Sequence, residues 1–167
     1  MDFKSFGVVF LFILVVSFGL PIVYSAIVPH NPKKTQWVVP VKNGVLTSRY
    51  GLRINPITNQ SEYHTGIDIA APSGVHVVAV RDGKVNLVGR DETAGIFVEI
   101  EHPDGMYTFY GHLSKSAFWV RRGSAVSTGQ LIGFVGSTGQ STGPHLHFQM
   151  YLGKELVDPM KYIGSNN

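Results

Sequence analysis

From Val45 onward the chain consists of short β-rich runs separated by glycine turns, and no long stretch carries helical periodicity. Residues 75–80, 84–88, 96–101, 106–110, 130–135 and 145–151 are rich in β-branched and aromatic side chains. Arg81-Asp82-Gly83, Pro103-Asp104-Gly105 and Arg122-Gly123 separate them, and Asp-Gly dipeptides accept the positive φ angles of tight hairpins. One short terminal turn of helix is expected over residues 158–163. The pattern predicts an all-β, mainly antiparallel domain over residues 45–163, with no internal repeat and no low-complexity tract.

The rest of the 167-residue chain reads differently. Residues 6–20 form an uninterrupted apolar or small-residue run, with only Asp2 and Lys4 charged before it and Pro21 after it. This predicts export. Residues 1–25 fit a signal peptide, with Val23 and Ser25 at the small-residue positions before a cut ahead of Ala26. They also fit a retained membrane anchor, because residues 6–28 reach the roughly 20 residues needed to cross a bilayer. The expected location is the periplasm or the extracellular cell envelope, with inner-membrane anchoring if the segment is kept. Residues 26–44 contain Pro29, Pro32, Pro40, Lys33 and Lys34 and read as a linker. Residues 164–167 are a short tail.

Composition narrows the chemistry. Cys is 0, which excludes disulfides and thiolate metal ligands. Any transition-metal site must therefore use imidazole and carboxylate. The net charge of +3 is mild, and Arg121-Arg122 and Lys33-Lys34 are isolated pairs, so nucleic-acid binding is not expected. The charge does favour attraction to an anionic envelope polymer.

The histidines carry the sharper signal. In a strand over residues 145–151, His145 and His147 share one face, while Leu146 and Phe148 share the other. Two convergent imidazoles are a common start for a metal site. His64-Thr65-Gly66-Ile67-Asp68 offers the missing ligand types. A straight strand would hold residues 64 and 68 ~13 Å apart, too far for two ligands that each sit about 2 Å from one ion. A bend at Gly66 is therefore required, with His64 on a loop and Asp68 entering a strand. His64, Asp68 and His147 would make a two-imidazole, one-carboxylate set with a fourth position open, the arrangement of catalytic zinc. Nitrogen ligands favour zinc over magnesium or calcium, whereas iron(II) also uses two histidines and a carboxylate. Gly111-His112-Leu113 adds a candidate general base or transition-state donor.

The ordered set His64-xxx-Asp68, Gly111-His112-Leu113 and His145-Leu146-His147 resembles the lysostaphin-type, or LytM-domain, zinc endopeptidases. The matching text extends through Tyr50-Gly51-Leu52-Arg53-Ile54-Asn55-Pro56, His64 to Pro72, Val135-Gly136-Ser137-Thr138-Gly139 and Val157-Asp158-Pro159. The resemblance implies a compact antiparallel domain with a zinc groove that hydrolyses peptide bonds in peptidoglycan stems or cross-bridges. Carried over by position, it makes His64, Asp68 and His147 the ligands of one Zn2+ ion and His112 and His145 the catalytic histidines. It leaves open which of the two is the base. Gln149 departs from the pattern, since many relatives carry Glu there, and that puts an outer detail of the site in question.

Glu62 is expected on the loop surface. His30, His76 and His102 are expected outside the site, with His76 on the polar side of a strand and His102 exposed before a turn. Two other functions compete. One is a catalytically silent LytM-like module that binds the wall or activates another hydrolase; such modules lose metal ligands, and this chain keeps every position of the set. The other is an amidase or carboxypeptidase acting on related wall peptides.

Overall fold

The structure is a computed structural model, and it describes residues 37–163. The proposed signal or anchor segment and the tail lie outside the described residues. Thirteen strands and one helical turn follow in chain order. They are β1 (Val45–Ser48), β2 (Gly51–Ile54), β3 (Ser61–His64), β4 (Ile67–Ala70), β5 (His76–Val78), β6 (Gly83–Asp91), β7 (Gly95–Glu101), β8 (Met106–Leu113), β9 (Lys115–Ser116), β10 (Ala125–Val126), β11 (Leu131–Phe134), β12 (His145–Leu152), β13 (Glu155–Val157) and α1 (Met160–Ile163).

Every named strand pair among the described residues is antiparallel, as expected. One large sheet runs β1-β4-β12-β8-β7-β6-β10, with β13 attached to β12. A smaller sheet runs β5-β11-β9, and β2 and β3 form a separate hairpin. The six β-rich runs of the sequence correspond to β5, β6, β7, β8, β11 and β12. The strand that Asp68 was expected to enter is β4, and the other strands were not anticipated.

The core sits on the inner face of the large sheet. Leu146, Phe148 and Met150 of β12 are fully buried and cluster with Ile67, Val98, Ile100 and Tyr110 of neighbouring strands and with Val77 and Ile132 of the smaller sheet. Burying each large apolar side chain contributes roughly 1.5–3 kcal/mol. A one-residue slip of β12 would expel all three of its core residues, so this burial also fixes which side chains point outward. Residues 37–44, read from sequence as linker, lie against the domain. Val41 is buried in the core, and Val38 and Pro40 make backbone hydrogen bonds with Val80 and Val78.

His102 corrects an expectation. It is buried, only 2% exposed, rather than exposed before its turn. The turn folds under Trp37, whose ring meets the His102 ring edge-on, and the Arg81 guanidinium lies over the Trp37 ring. His76 is exposed beside fully buried Val77, as the alternation requires.

Candidate metal centre

The outer face of the large sheet carries the site. β12 lies between β4 and β8, and its register sets His147 opposite Asp68 on one side and Gly111 on the other. Directly paired residues share a face with their Cβ atoms about 5 Å apart, so Asp68 and His147 meet without further adjustment. Gly111 leaves the opposite side of His147 uncrowded.

His64 arrives by the bend that the spacing demands. β3 ends at His64 and β4 begins at Ile67, so the break falls at Thr65-Gly66. His64 closes a strand rather than lying in a loop. Gly66 is required because its backbone abuts β12, where a Cβ would collide with the carbonyl oxygen of Phe148. This close approach brings His64 Nε2 within 3.2 Å of Asp68 Oδ1.

His112 reaches the same face by a different device. Between the pairs Ile96↔Leu113 and Val98↔Tyr110, β7 supplies one residue and β8 supplies Gly111 and His112. This is a β-bulge, which re-aims a side chain. His112 occupies the left-handed region with φ 58°, a conformation that costs a non-glycine residue about 1–3 kcal/mol. Its backbone N–H donates to the carbonyl of Ala94 at 2.7 Å, which helps hold the bulge.

Among the described residues, one trio of potential ligands converges closely enough to hold a metal ion. His64, Asp68 and His147 present ligand atoms that all lie within 4.8 Å of one another. His147 Nδ1 is 2.8 Å from Asp68 Oδ1 and 3.1 Å from His64 Nε2. Ligands at zinc distances in a tetrahedron stand about 3.3 Å apart. The near-equilateral triangle therefore fits an ion after an opening of a few tenths of an ångström. Asp68 carries opposing influences. Burial raises its pKa, but hydrogen bonds and charge from His147 and His64 prevail and hold the carboxyl far below the usual carboxylate range. It is ionised at any physiological pH, as a ligand must be.

Backbone carbonyls orient three of the imidazoles. His64 Nδ1 donates to Arg49 O at 2.9 Å, His112 Nδ1 to Thr138 O at 2.8 Å, and His145 Nδ1 to Gly143 O at 2.8 Å. In the neutral ring that a ligand or base requires, each bond places the proton on Nδ1 and leaves the Nε2 lone pair facing the site. The His112 and His145 rings lie with centroids 4.7 Å apart, and His145 Nε2 is 3.8 Å from Asp68 Oδ1. Burial lowers the pKa of His112, and the neighbouring His145 and His147 push it the same way. All five side chains line one cleft of about 280 Å³.

Arg53 is the participant to which the sequence assigned no role. On β2 it faces inward with Glu62 of β3, directly opposite in the hairpin. Its Nη1 donates to Asp68 Oδ2 at 2.7 Å and to Ser48 Oγ at 2.7 Å, and its Nε donates to Glu62 Oε1 at 2.8 Å. Arg53 thus holds one oxygen of Asp68 and leaves Oδ1 for the two histidines. Glu62, expected on the loop surface, lines the cleft instead. Its carboxylate is committed to Arg53 and to Asn55, whose Nδ2 donates at 2.5 Å.

Comparison with known proteins matches the part of the chain that carries these residues. The model of peptidase family M23 matches residues 62–159, a span that contains His64, Asp68, His112, His145 and His147. The DD-carboxypeptidase/endopeptidase Mpg of Neisseria meningitidis serogroup B is 45% identical over 115 residues, covering 69% of this chain and 26% of Mpg. The peptidoglycan DD-endopeptidase ShyB of Vibrio cholerae is 41% identical over 109 residues, covering 65% of this chain and 25% of ShyB. The chain thus spans about a quarter of the length of these curated relatives. The catalytic domain of the antimicrobial peptidase lysostaphin from Staphylococcus simulans superimposes with a TM-score of 0.66 at 34% identity, covering 74% of this chain and 94% of that domain. With more than half of its residues matched by the family model and its fold shared with lysostaphin, the chain belongs to peptidase family M23.

Proposed function

We propose that the chain is an exported zinc metalloendopeptidase that hydrolyses peptide bonds in peptidoglycan stems or cross-bridges. One observation carries this reading. His64 Nε2, Asp68 Oδ1 and His147 Nδ1 converge in an open cleft that His112 and His145 also line. Two imidazoles and one carboxylate suit zinc better than magnesium or calcium. A three-residue set leaves a coordination position open, as catalytic sites do and structural ones do not.

His64, Asp68 and His147 would hold the ion. When bound, zinc supplies Lewis acidity toward a carbonyl and a nucleophile at neutral pH. His112, kept neutral by burial and by the imidazoles beside it, is suited to accept the proton of the attacking water and return it to the leaving amine. His145 stands across from it and is placed to stabilise the substrate's tetrahedral oxyanion by hydrogen bonding. Thr138 O and Gly143 O hold the two rings in register, so neither must reorient during the reaction. Glu62 is tied to Arg53 and Asn55 and takes no part as a base.

The activities for which the Neisseria and Vibrio relatives are named support a wall peptide as substrate. The apolar run at residues 6–20 supports export to the periplasm or the extracellular envelope, with or without retention as an anchor. A wall-binding module without activity would have no use for the complete set of ligands and proton-handling histidines. The test is digestion of purified peptidoglycan by the full chain, with zinc, with chelator, and with zinc restored, followed by mass analysis of the products. Zinc-dependent release of peptides identifies the bond cut. Zinc-loaded protein that leaves every wall type intact would contradict the proposal.

A further inference from the structure

His147 differs from the other site histidines in how it is held. It faces the His64 and Asp68 ligand atoms through Nδ1, so no backbone carbonyl ties that nitrogen. Coordination through Nδ1 needs that nitrogen unprotonated, with the ring proton on Nε2. Nε2 then needs an acceptor. The group in place is the side-chain amide of Gln149, two residues along β12 on the same face.

One end of that amide, placed as Nε2, is 2.8 Å from His147 Nε2 and 2.6 Å from Thr65 Oγ1. The other end, Oε1, meets the Tyr151 hydroxyl. In this orientation the amide donates to His147 and supports a proton on Nδ1, the tautomer that cannot ligate. Rotating the amide by half a turn exchanges the two ends and keeps every neighbour. Oε1 then accepts from His147 Nε2–H and from the Thr65 hydroxyl, while Nε2 donates to the Tyr151 oxygen. The chemistry of ligation selects this second orientation, and amide orientation follows from the hydrogen-bond network.

We propose that Gln149 is a positioning residue for the metal centre. Its amide oxygen accepts from His147 Nε2–H, directs the Nδ1 lone pair to the ion, and is anchored by Thr65 and Tyr151. The inference rests on the metal-centre reading above. Thr65 belongs to the bend between His64 and Asp68, and Gly66 of that bend packs against the Gln149 side chain. Gln149 therefore ties the ligand on β12 to the segment carrying the other two. Partners of this kind typically change metal affinity 10–100-fold when removed.

The experiment is zinc affinity by chelator competition on the full chain, with thermal melting as a control for folding. Gln149→Met keeps the side-chain length but removes the acceptor, and zinc affinity should fall about 10–100-fold. Gln149→Glu supplies an acceptor that cannot donate, and affinity should stay at the wild-type level or rise. Thr65→Val should cost about fivefold, the worth of one hydrogen bond, and it reports on the network even if Gln149→Met fails to fold. In the zinc-loaded wild type, a two-dimensional proton–nitrogen spectrum of the imidazoles should place the His147 proton on Nε2. The proposal is overturned if folded Gln149→Met binds zinc like wild type, if Gln149→Glu weakens binding as much as Gln149→Met, or if the His147 proton lies on Nδ1. Wild type that binds no zinc would instead overturn the metal-centre reading and this inference with it. Zinc binding that is lost in His64→Ala but untouched in Gln149→Met would sink only the role of Gln149.

Discussion

His102 and His64 lie in the same domain at nearly the same depth, and their rings are held in opposite ways. His102 is 2% exposed and His64 is 3% exposed, so burial does not separate them. Their hydrogen bonds do. His102 spends both ring nitrogens, Nδ1 on Asp82 O at 2.8 Å and Nε2 on Thr108 Oγ1 at 2.9 Å, and Thr108 passes the chain on to the Tyr110 hydroxyl. His64, His112 and His145 each spend Nδ1 on a carbonyl and leave Nε2 to the cleft. β8 serves both regions. Thr108 and Tyr110 point into the core, and the bulge at Gly111-His112 turns the next functional side chain outward. Three rings of the cleft thus keep Nε2 turned toward it, whereas the His102 ring is closed into a buried hydrogen-bond network.

Substitutions can break that contrast. The largest effect is expected for His64→Ala, which removes a ligand and should abolish both zinc binding and peptidoglycan cleavage in a folded protein. His112→Ala should retain zinc and lose ~10²–10⁴-fold in turnover, measured by release of wall fragments. Arg53→Leu should leave the fold intact and weaken zinc by about tenfold, because Asp68 Oδ2 loses the group that orients it. Chelator competition reads that change.

The smallest effect on catalysis is expected for His102→Gln. It should leave activity at 25 °C unchanged and cost about 1–3 kcal/mol in stability through the hydrogen bonds it disturbs. Burial holds the folded pKa of His102 below its ordinary 6.5. The unfolded chain therefore binds the proton first as pH falls. The contribution of the neutral ring is complete above about 6.5 and is lost as pH falls from there through the folded pKa. His112 and His147 are shifted in the same direction. Melting temperatures of chelated protein between pH 7.5 and 5.5 should therefore decline with acid in wild type and decline less in His102→Gln. Equal slopes would show that His102 is not the buried neutral group described here.

What was legible in the sequence follows the same physics. Alternation in residues 145–151 is a period-two signal, and β12 displays it with His145, His147 and Gln149 outward and Leu146, Phe148 and Met150 inward. The distance argument at residues 64–68 located the bend because chain geometry forbids anything straighter. The β2–β3 hairpin was hidden because its pattern is inverted. Leu52, Ile54 and Tyr63 are exposed, while Arg53 and Glu62 face the site. A rule that puts apolar residues inside cannot find such a hairpin, and so Arg53 had no assigned role. His102 was misplaced because a Pro-Asp-Gly turn ordinarily lies on the surface, and only tertiary packing under Trp37 buries it. The left-handed backbone of His112 has no local marker, since glycine precedes that position and does not occupy it.

Zinc content of two neighbouring variants separates a metal ligand from a proton-handling histidine. His145 and His147 sit two residues apart on one strand face, and different work is proposed for each. Purified, folded His147→Ala should carry no zinc and show no activity. Purified, folded His145→Ala should carry one zinc per chain, as wild type does, and be inactive. Equal zinc loss in both variants, or zinc retained in His147→Ala, would contradict the assignment of His64, Asp68 and His147 as the metal ligands.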